Sequence, residues 1–126
     1  MGHGRLNVPK RTGRRPKAAE LLRRDPVLRE IVAALRRYGA ELIVLFGSRA
    51  REEAGRWSDY DVVVVRRTER RFLDRLREVD RTLAAVREPV DVFVYTPEEF
   101  RDMQERALGV ILRSEGVVLY RRRRRS

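Results

Sequence analysis

The sequence predicts an α+β or α/β domain, in which a small β-sheet is covered by helices on at least one face. Segments with apolar residues at helical spacing alternate along the chain with short, continuous apolar runs that are typical of buried strands. The chain has 126 residues, which suits one compact domain. The predicted order is helix, strand, loop, strand, helix, strand and helix, with room for a last strand.

The first predicted elements follow a basic arm. Residues 1–17 contain three Gly, two Pro and almost nothing apolar, so they cannot bury enough surface to offset their ordering entropy, and we expect a disordered arm. A short helix is expected from Ala18 to Arg24. Pro26 suits the first turn of a second helix, which Gly39 ends.

The middle of the chain predicts three strands and a helix. Residues 41–46 and 61–65 are nearly continuous apolar runs, which indicates strands buried in the sheet. Residues 69–86 carry apolar side chains at helical spacing. A third strand is predicted at residues 90–95, directly after Pro89.

The last elements begin at a helix cap. Thr96 and Pro97 form an N-cap and first-turn pair, with two glutamates following in the first turn. A further short helix is expected to reach Arg113, with Gly116 as its stop. Residues 117–120 would close the domain as a final strand.

Positive charge is concentrated at the two ends of the chain. Thirty Lys and Arg against 19 Asp and Glu give a formal net charge of +11, which first suggests nucleic acid as a partner. Residues 1–24 and 121–125 together carry +12, whereas residues 25–120 carry −1. We therefore predict a domain over residues 18–120 and an Arg-rich tail at residues 121–126, with weak nucleic-acid contact confined to the ends.

Composition excludes several kinds of site. The chain has no Cys, which rules out disulfides and thiolate zinc sites, and its one His, His3, cannot build a histidine cluster or triad. Any metal must be a hard cation held by carboxylates. The longest apolar runs, residues 42–47 and 62–65, are too short to cross a bilayer, and no signal peptide is recognisable. We expect a cytoplasmic protein.

Three acids and a Gly-Ser pair stand out on these elements. Gly47 and Ser48 follow the first strand, Asp59 and Asp61 open the second, and Asp91 lies in the third. Residues i and i+2 of a strand point to the same face, so the first two carboxylates can converge. If the third strand lies beside the second, Asp91 adds a third carboxylate. Such a set suits a pair of Mg²⁺ ions in phosphoryl transfer.

The Gly-Ser pair has a complementary role. A Gly-Ser pair at a turn from a strand into a helix allows close backbone approach, and Ser48 can offer its hydroxyl to a phosphate beside the free N–H groups at the start of the expected helix. Arg49 and Arg51 could neutralise further phosphate charge, although in so Arg-rich a chain each could equally be a solvated surface residue.

These residues carry a family resemblance. Residues 46–61, FGSRAREEAGRWSDYD, place ten residues between Gly-Ser and Asp-x-Asp, and Asp91 follows within PVDVFVY. With this pattern the chain resembles a minimal nucleotidyltransferase (MNT) of the DNA polymerase beta superfamily. It is most similar to the MNT half of HEPN/MNT toxin–antitoxin pairs. The resemblance covers residues 26–120 and implies the nucleotidyltransferase fold, an α+β fold in which helices cover a small mixed β-sheet.

The resemblance also implies roles for the acids. Asp59 and Asp61 would bind two Mg²⁺ ions, and Asp91 would share one ion and help to deprotonate the attacking hydroxyl. Tyr60, between the first two acids, stands where family members more often have Ile or Leu, and it leaves the acids undisturbed.

The implied reaction is nucleotidyl transfer. Gly47 and Ser48 would hold the β- and γ-phosphates of an NTP, with Arg49 near them. A hydroxyl would attack the α-phosphorus, take up the NMP and release pyrophosphate. In antitoxins of this kind AMP from ATP is the usual donated group, and the acceptor is a tyrosine of the HEPN ribonuclease partner. No long C-terminal helical bundle follows the domain, so a second protein is expected to complete the acceptor site.

Two other classes of function remain open from the sequence. The protein could be a non-catalytic antitoxin, or a nucleic-acid-binding module that uses its Arg-rich tails, with the carboxylates idle. Transfer to a small molecule such as an aminoglycoside ranks last, because nothing resembles a second substrate domain. Retention of all three acids favours the enzyme, since an idle site would keep mutually repelling carboxylates.

Overall fold

A computed structural model describes residues 18–53 and 59–123 of the chain. The described elements are five α-helices, one 3₁₀ turn and four strands, as follows: α1 Ala18–Arg24, α2 Pro26–Tyr38, β1 Leu42–Phe46, β2 Tyr60–Val65, α3 Phe72–Thr82, β3 Val90–Tyr95, α4 Pro97–Asp102, the 3₁₀ turn Met103–Glu105, α5 Ala107–Glu115 and β4 Val117–Arg121. The α+β class predicted from the sequence is confirmed. In the described part, no helix is both long and apolar enough to cross a membrane.

The strands form one mixed sheet in the order β3-β2-β1-β4. β1 lies in the middle and pairs antiparallel with both β2 and β4. β2 and β3 are parallel, so the chain crosses over through α3 between them. The third predicted strand therefore does lie beside the second, as the carboxylate hypothesis requires.

Apolar side chains cover both faces of the sheet. One face packs against α1, α2 and α3 through a large cluster that includes Ile31, Leu35 and Val79. The other face packs against α4, the 3₁₀ turn and α5 through a smaller cluster that includes Met103 and Leu112. Because successive strand residues point to opposite faces, neighbours in β2 belong to different sides of the domain.

Helix α2 shows why the sequence signals at its ends were reliable. The Asp25 side chain accepts hydrogen bonds from the backbone N–H groups of Val27 and Leu28, at 3.0 and 3.2 Å, and Pro26 follows at the first helical position. Gly39 ends the helix with φ +108°, a left-handed conformation that glycine adopts without a steric penalty. The N-cap predicted at Thr96 is also formed, and the Glu99 side chain completes it as a capping box.

Helix α3 is shorter than its apolar pattern predicted. The prediction spanned residues 69–86, whereas the helix begins at Phe72 and ends at Thr82. Beyond it, the N–H groups of Ala84 and Val86 bond to carbonyls three residues back, so the chain tightens into turns before the next strand. Val86 still packs against the core, which is why it fits the helical pattern without lying in the helix.

Two elements near the C-terminus run past their predicted ends. Helix α5 extends to Glu115 rather than Arg113, and β4 includes Arg121, which pairs with Leu42 in β1. The predicted arm at residues 1–17 and the last three residues of the tail lie outside the described residues.

Arg75 is the one charged residue classed as buried in the described part of the chain. It belongs to α3, and its guanidinium donates to the Val94 carbonyl in β3 at 3.3 Å. It also donates to both carboxylate oxygens of Glu99 in α4, at 2.7 and 3.2 Å. The pair thus ties helices on opposite sides of β3 together. These hydrogen bonds from Arg75 lower the pKa of Glu99.

Glu99→Gln should destabilise the domain by about 1 kcal/mol at pH 7, because the Glu99 side chain is 45% exposed and solvent screens part of the pairing. Because the pKa of Glu99 is lowered in the folded protein, its ionised form contributes stability at pH values above its ordinary pKa of 4.5. This contribution is lost as the pH falls through the pKa of the folded state. Thermal melts from pH 7 to pH 3 should therefore converge for the wild type and the variant at low pH. Glu98→Gln, at a more exposed neighbouring site, is the control. A difference in melting temperature between the wild type and Glu99→Gln that stays constant from pH 7 to pH 3 would contradict a stabilising ion pair between Arg75 and Glu99.

Candidate active site

The two central acids of the predicted set lie side by side on neighbouring strands. Asp61 in β2 is directly opposite Asp91 in β3 in the parallel register. Both point to the sheet face that α4 and α5 partly cover, since they alternate with residues of the α2-facing cluster. Asp61 is half-buried, Asp91 is exposed, and Asp59 is exposed just before β2 begins. The sheet therefore brings Asp61 and Asp91 together at an open edge.

The surroundings of Asp61 disfavour its ionised form. Burial is the main cause that raises the pKa of Asp61, followed by the negative charge of Asp91 and then that of Asp59. A hydrogen bond shared with Asp91 raises it further. Each of these effects disfavours the ionised form of Asp61. Two acids held in this way repel each other at neutral pH unless a positive charge is supplied.

The donor set fits a hard divalent cation. Carboxylate oxygens are the ligands that Mg²⁺ prefers, and a bound cation would remove the repulsion within the pair of Asp61 and Asp91. Over residues 18–53 and 59–123, no group of three or more His, Asp or Glu side chains is already gathered closely enough to hold a metal ion. Two protein carboxylates plus substrate phosphates are a common way for proteins to bind Mg²⁺. The role of Asp59 stays a prediction.

Gly47 lies directly against Asp61. It follows β1 with φ +78°, and a Cβ atom built on it would stand 2.4 Å from the Asp61 Oδ2 atom. No real Cβ contact is that short, so any side chain here would have to push the carboxylate away. Only glycine combines the left-handed backbone with this close approach. The Gly-Ser signal in the sequence thus reflects a direct contact with the acid pair.

The segment after Gly47 folds into hydrogen-bonded turns. The Gly47 carbonyl accepts from the N–H groups of Ala50 and Arg51, at 3.0 and 3.1 Å, and the Ser48 carbonyl accepts from that of Glu53 at 3.0 Å. The helix start expected after the Gly-Ser pair is wrong within the described residues up to 53, where no α-helix forms. Glu52 has φ +59°, which is incompatible with continuing a right-handed helix. Ser48 therefore lies in a compact turn at the end of β1, next in the chain to the glycine that contacts Asp61.

Arg49 lies on the other side of the sheet from the acids. Its guanidinium stacks over the Tyr60 ring at 4.2 Å, and Tyr60 belongs to the cluster facing α2. The Tyr60 hydroxyl donates to the Asp25 cap of α2 at 2.7 Å. Arg49 and Tyr60 both line a cavity of about 420 Å³ between α1, α2 and the turn that follows β1. The phosphate role predicted for Arg49 stays a prediction, and this packing against Tyr60 does not bring it toward Asp61.

Glu115 is a site residue that sequence reasoning missed. It is the last residue of α5, and its side chain is only 13% exposed. Its carboxylate accepts the Gly47 N–H at 2.6 Å and an N–H of Arg51 at 2.8 Å, and its charge contributes to the raised pKa of Asp61. One signal was available: an acid at a helix C-terminus opposes the helix dipole and so needs another reason to be there.

Comparison with known proteins identifies the family. The model of the nucleotidyltransferase domain family matches residues 28–119. The fold is similar to that of a Sulfolobus solfataricus protein provisionally described as a nucleotidyltransferase, with TM-score 0.57 and 26% identity, covering 89% of this chain and 94% of that chain. It is also similar to a chain of a toxin–antitoxin structure with AMP-PNP, with TM-score 0.58 and 23% identity, covering 74% of this chain and 72% of that chain.

A comparison with curated proteins gives no match. The family match extends from α2 to β4 and so includes the Gly47 turn and the strands that carry the acid pair. The family predicted from the sequence pattern is confirmed: this chain belongs to the nucleotidyltransferase domain family.

Proposed function

We propose that this protein transfers AMP from ATP to a tyrosine hydroxyl of a HEPN-type toxin and thereby acts as its antitoxin. The observation that carries the proposal is the packing of Gly47 against Asp61, with Asp91 paired to Asp61 on the next strand. This arrangement puts the backbone turn after β1 directly beside two carboxylates. The AMP-PNP in the similar toxin–antitoxin structure supports an adenine nucleotide and a toxin partner as the first choices to test.

The carboxylates would have different roles in the reaction, according to how exposed each one is. Asp91 is exposed at the sheet edge, so it can accept the proton of a hydroxyl presented by another protein. Asp61 is half-buried, and with Asp91 and Asp59 it would hold Mg²⁺. Bound Mg²⁺ would supply positive charge that offsets the charge developing on the phosphates.

The turn after β1 would orient the triphosphate. Ser48 can offer its hydroxyl and backbone N–H to phosphate oxygens, while Gly47 leaves room for close approach. In the transfer, the tyrosine oxygen forms a bond to the α-phosphorus as the bond from that phosphorus to the bridging oxygen breaks. Pyrophosphate leaves, and the hydroxyl proton passes to Asp91.

Labelled ATP tests the transfer directly. The protein is incubated with Mg²⁺ and a purified HEPN ribonuclease, ideally one encoded beside it, and with ATP labelled at either the α- or the γ-phosphate. Only the α-label should enter the toxin, because the γ-label leaves in pyrophosphate. Label should be lost when the acceptor tyrosine is changed to Phe and when Asp59→Ala and Asp61→Ala are combined. Parallel reactions with GTP, CTP and UTP establish the preferred nucleotide.

The non-catalytic alternative makes the opposite prediction. A protein that blocks its toxin by occlusion alone should inhibit the ribonuclease equally well without Mg²⁺ and with Asp61→Asn in place. Absence of label transfer together with such Mg²⁺-independent inhibition would overturn the proposed function in favour of a binding module.

A further inference from the structure

Glu115 joins two parts of the molecule that are distant in sequence, the end of α5 and the turn after β1. It lies 68 positions after Gly47 and 64 after Arg51, yet it accepts hydrogen bonds from both. Its Oε2 atom takes the Gly47 N–H at 2.6 Å, and its Oε1 atom takes Nη1 of Arg51 at 2.8 Å. The carboxylate thus uses both oxygens to connect the end of α5 to the turn after β1.

The position of this turn matters because of what lies on its other side. Gly47 approaches Asp61 so closely that an added Cβ would be 2.4 Å from the carboxylate. A shift of the turn toward the acids would therefore produce a clash, and a shift away would open a gap between the phosphate-binding backbone and the carboxylates. Glu115 is the side chain that fixes the Gly47 N–H in this narrow position.

Arg51 is oriented by the same contact. Its guanidinium is shared between Glu115 and Glu53, whose Oε1 atom accepts from Nε at 2.8 Å, and these bonds raise the already high pKa of Arg51. A guanidinium has five N–H groups, so two carboxylate contacts leave donor capacity for a phosphate. Without Glu115, the cation would lose the contact that directs it toward the Gly47 turn.

The negative charge of Glu115 is electrostatically unfavourable at the end of α5, so its presence there needs a compensating role. Glu115 adds negative charge near Asp61, and it stands at the end of a helix where the dipole disfavours an anion. Its pairing with Arg51 offsets part of this cost. The alignment of the Gly47 turn is what remains to explain the presence of an acid at position 115.

We propose that Glu115 is a positioning residue of the nucleotidyl-transfer site, which holds the Gly47 turn and Arg51 at the correct distance from Asp61 for an NTP. This inference rests on the proposed function. It gives the C-terminal end of α5 a role in nucleotide binding.

The test is equilibrium binding of Mg²⁺–AMP-PNP by calorimetry, with transfer kinetics alongside. Glu115→Ala should weaken binding roughly 10- to 100-fold, since removing a side chain that orients the groups of a metal site typically has an effect of this size. Glu115→Gln should have a smaller effect, because its single amide oxygen can accept one of the two bonds. Both variants should raise KM for the NTP more than they lower kcat. Glu105→Gln, an exposed acid on the preceding 3₁₀ turn, is the matched control and should bind as the wild type does.

Two further measurements separate positioning from a purely structural role. In the Arg51→Ala background, the added effect of Glu115→Ala should shrink to a few-fold, because residues in one network are not additive. The amide resonance of Gly47 should shift in Glu115→Gln, a variant that keeps the side-chain volume if Glu115→Ala fails to fold.

The outcomes are distinguishable. If the wild type binds no Mg²⁺–NTP, the proposed function fails. If the wild type binds and both Glu115 variants bind as well or more tightly, while the Gly47 resonance still moves, only the positioning role is overturned. Tighter binding of Mg²⁺–AMP-PNP by the variants would show that the Glu115 carboxylate competes with the phosphates of the nucleotide.

Discussion

Asp61→Asn is expected to stop nucleotidyl transfer and, at the same time, to stabilise the nucleotide-free protein at pH 7. We expect transfer to fall at least about 1,000-fold, because a metal-binding carboxylate contributes several kcal/mol to such reactions. The melting temperature should rise by about 2–4 °C. An Asn amide can donate to Asp91, so a repulsive contact becomes a hydrogen bond.

The pH dependence of this stabilisation follows from the raised pKa of Asp61. Its folded pKa lies above the ordinary 3.8, so the protonated form is favoured in the fold, and the wild type loses stability as the pH rises through the folded pKa. Wild type and Asp61→Asn should therefore have similar melting temperatures near pH 3 and diverge toward pH 7. Mg²⁺ should raise the melting temperature of the wild type at pH 7 but not that of the variant.

Asp80→Asn provides the control for Asp61→Asn. Asp80 is an exposed acid on α3, so its replacement changes the net charge equally without touching the site. A variant at Asp61 that is less stable than the wild type at pH 7 would contradict the repulsion between Asp61 and Asp91. One that keeps its transfer activity would contradict the placement of Asp61 at the reaction centre.

Gly47→Ala should damage both stability and activity. Placing Ala at φ +78° costs about 1–2 kcal/mol for the left-handed backbone alone. The new methyl group must also displace the Asp61 carboxylate, from which it would stand at 2.4 Å. We expect a lower melting temperature and a loss of transfer of roughly 100-fold in the molecules that remain folded.

Gly39→Ala separates the two effects of Gly47→Ala. Gly39 also has a positive φ, +108°, but its added Cβ would meet the flexible side chain of Arg66 at 3.1 Å, far from the acids. This control should lose comparable stability and keep its transfer activity per folded molecule. If both glycine variants lose activity equally, the close approach of Gly47 to Asp61 has no specific role.

Local sequence signals located the helices and strands well because each has a local cause. Caps such as Asp25 and Gly39 satisfy backbone groups within a few residues, and continuous apolar runs mark strands buried on both faces. The exception at residues 83–86 has a tertiary cause. There the Val86 side chain packs against the core, so its position fits the helical spacing of the apolar residues. The backbone, however, has already left the helix and forms turns before Pro89.

Within the site, the sequence alone indicated which residue types cooperate. Gly-Ser after one strand, Asp-x-Asp at the start of the next and Asp91 in the third were sufficient to predict the family that the comparison confirmed. These signals work because they lie at strand ends, where strand periodicity decides the face on which a side chain lies.

Only the tertiary structure decided how these residues meet. The parallel register that sets Asp61 opposite Asp91 depends on strand pairing, which no local pattern specifies. The same applies to Arg49, which packs on the Tyr60 side of the sheet, and to Glu115, which reaches Gly47 across 68 positions of chain. Local periodicity determined the elements and the chemistry of the site, and long-range packing determined which side chains share it.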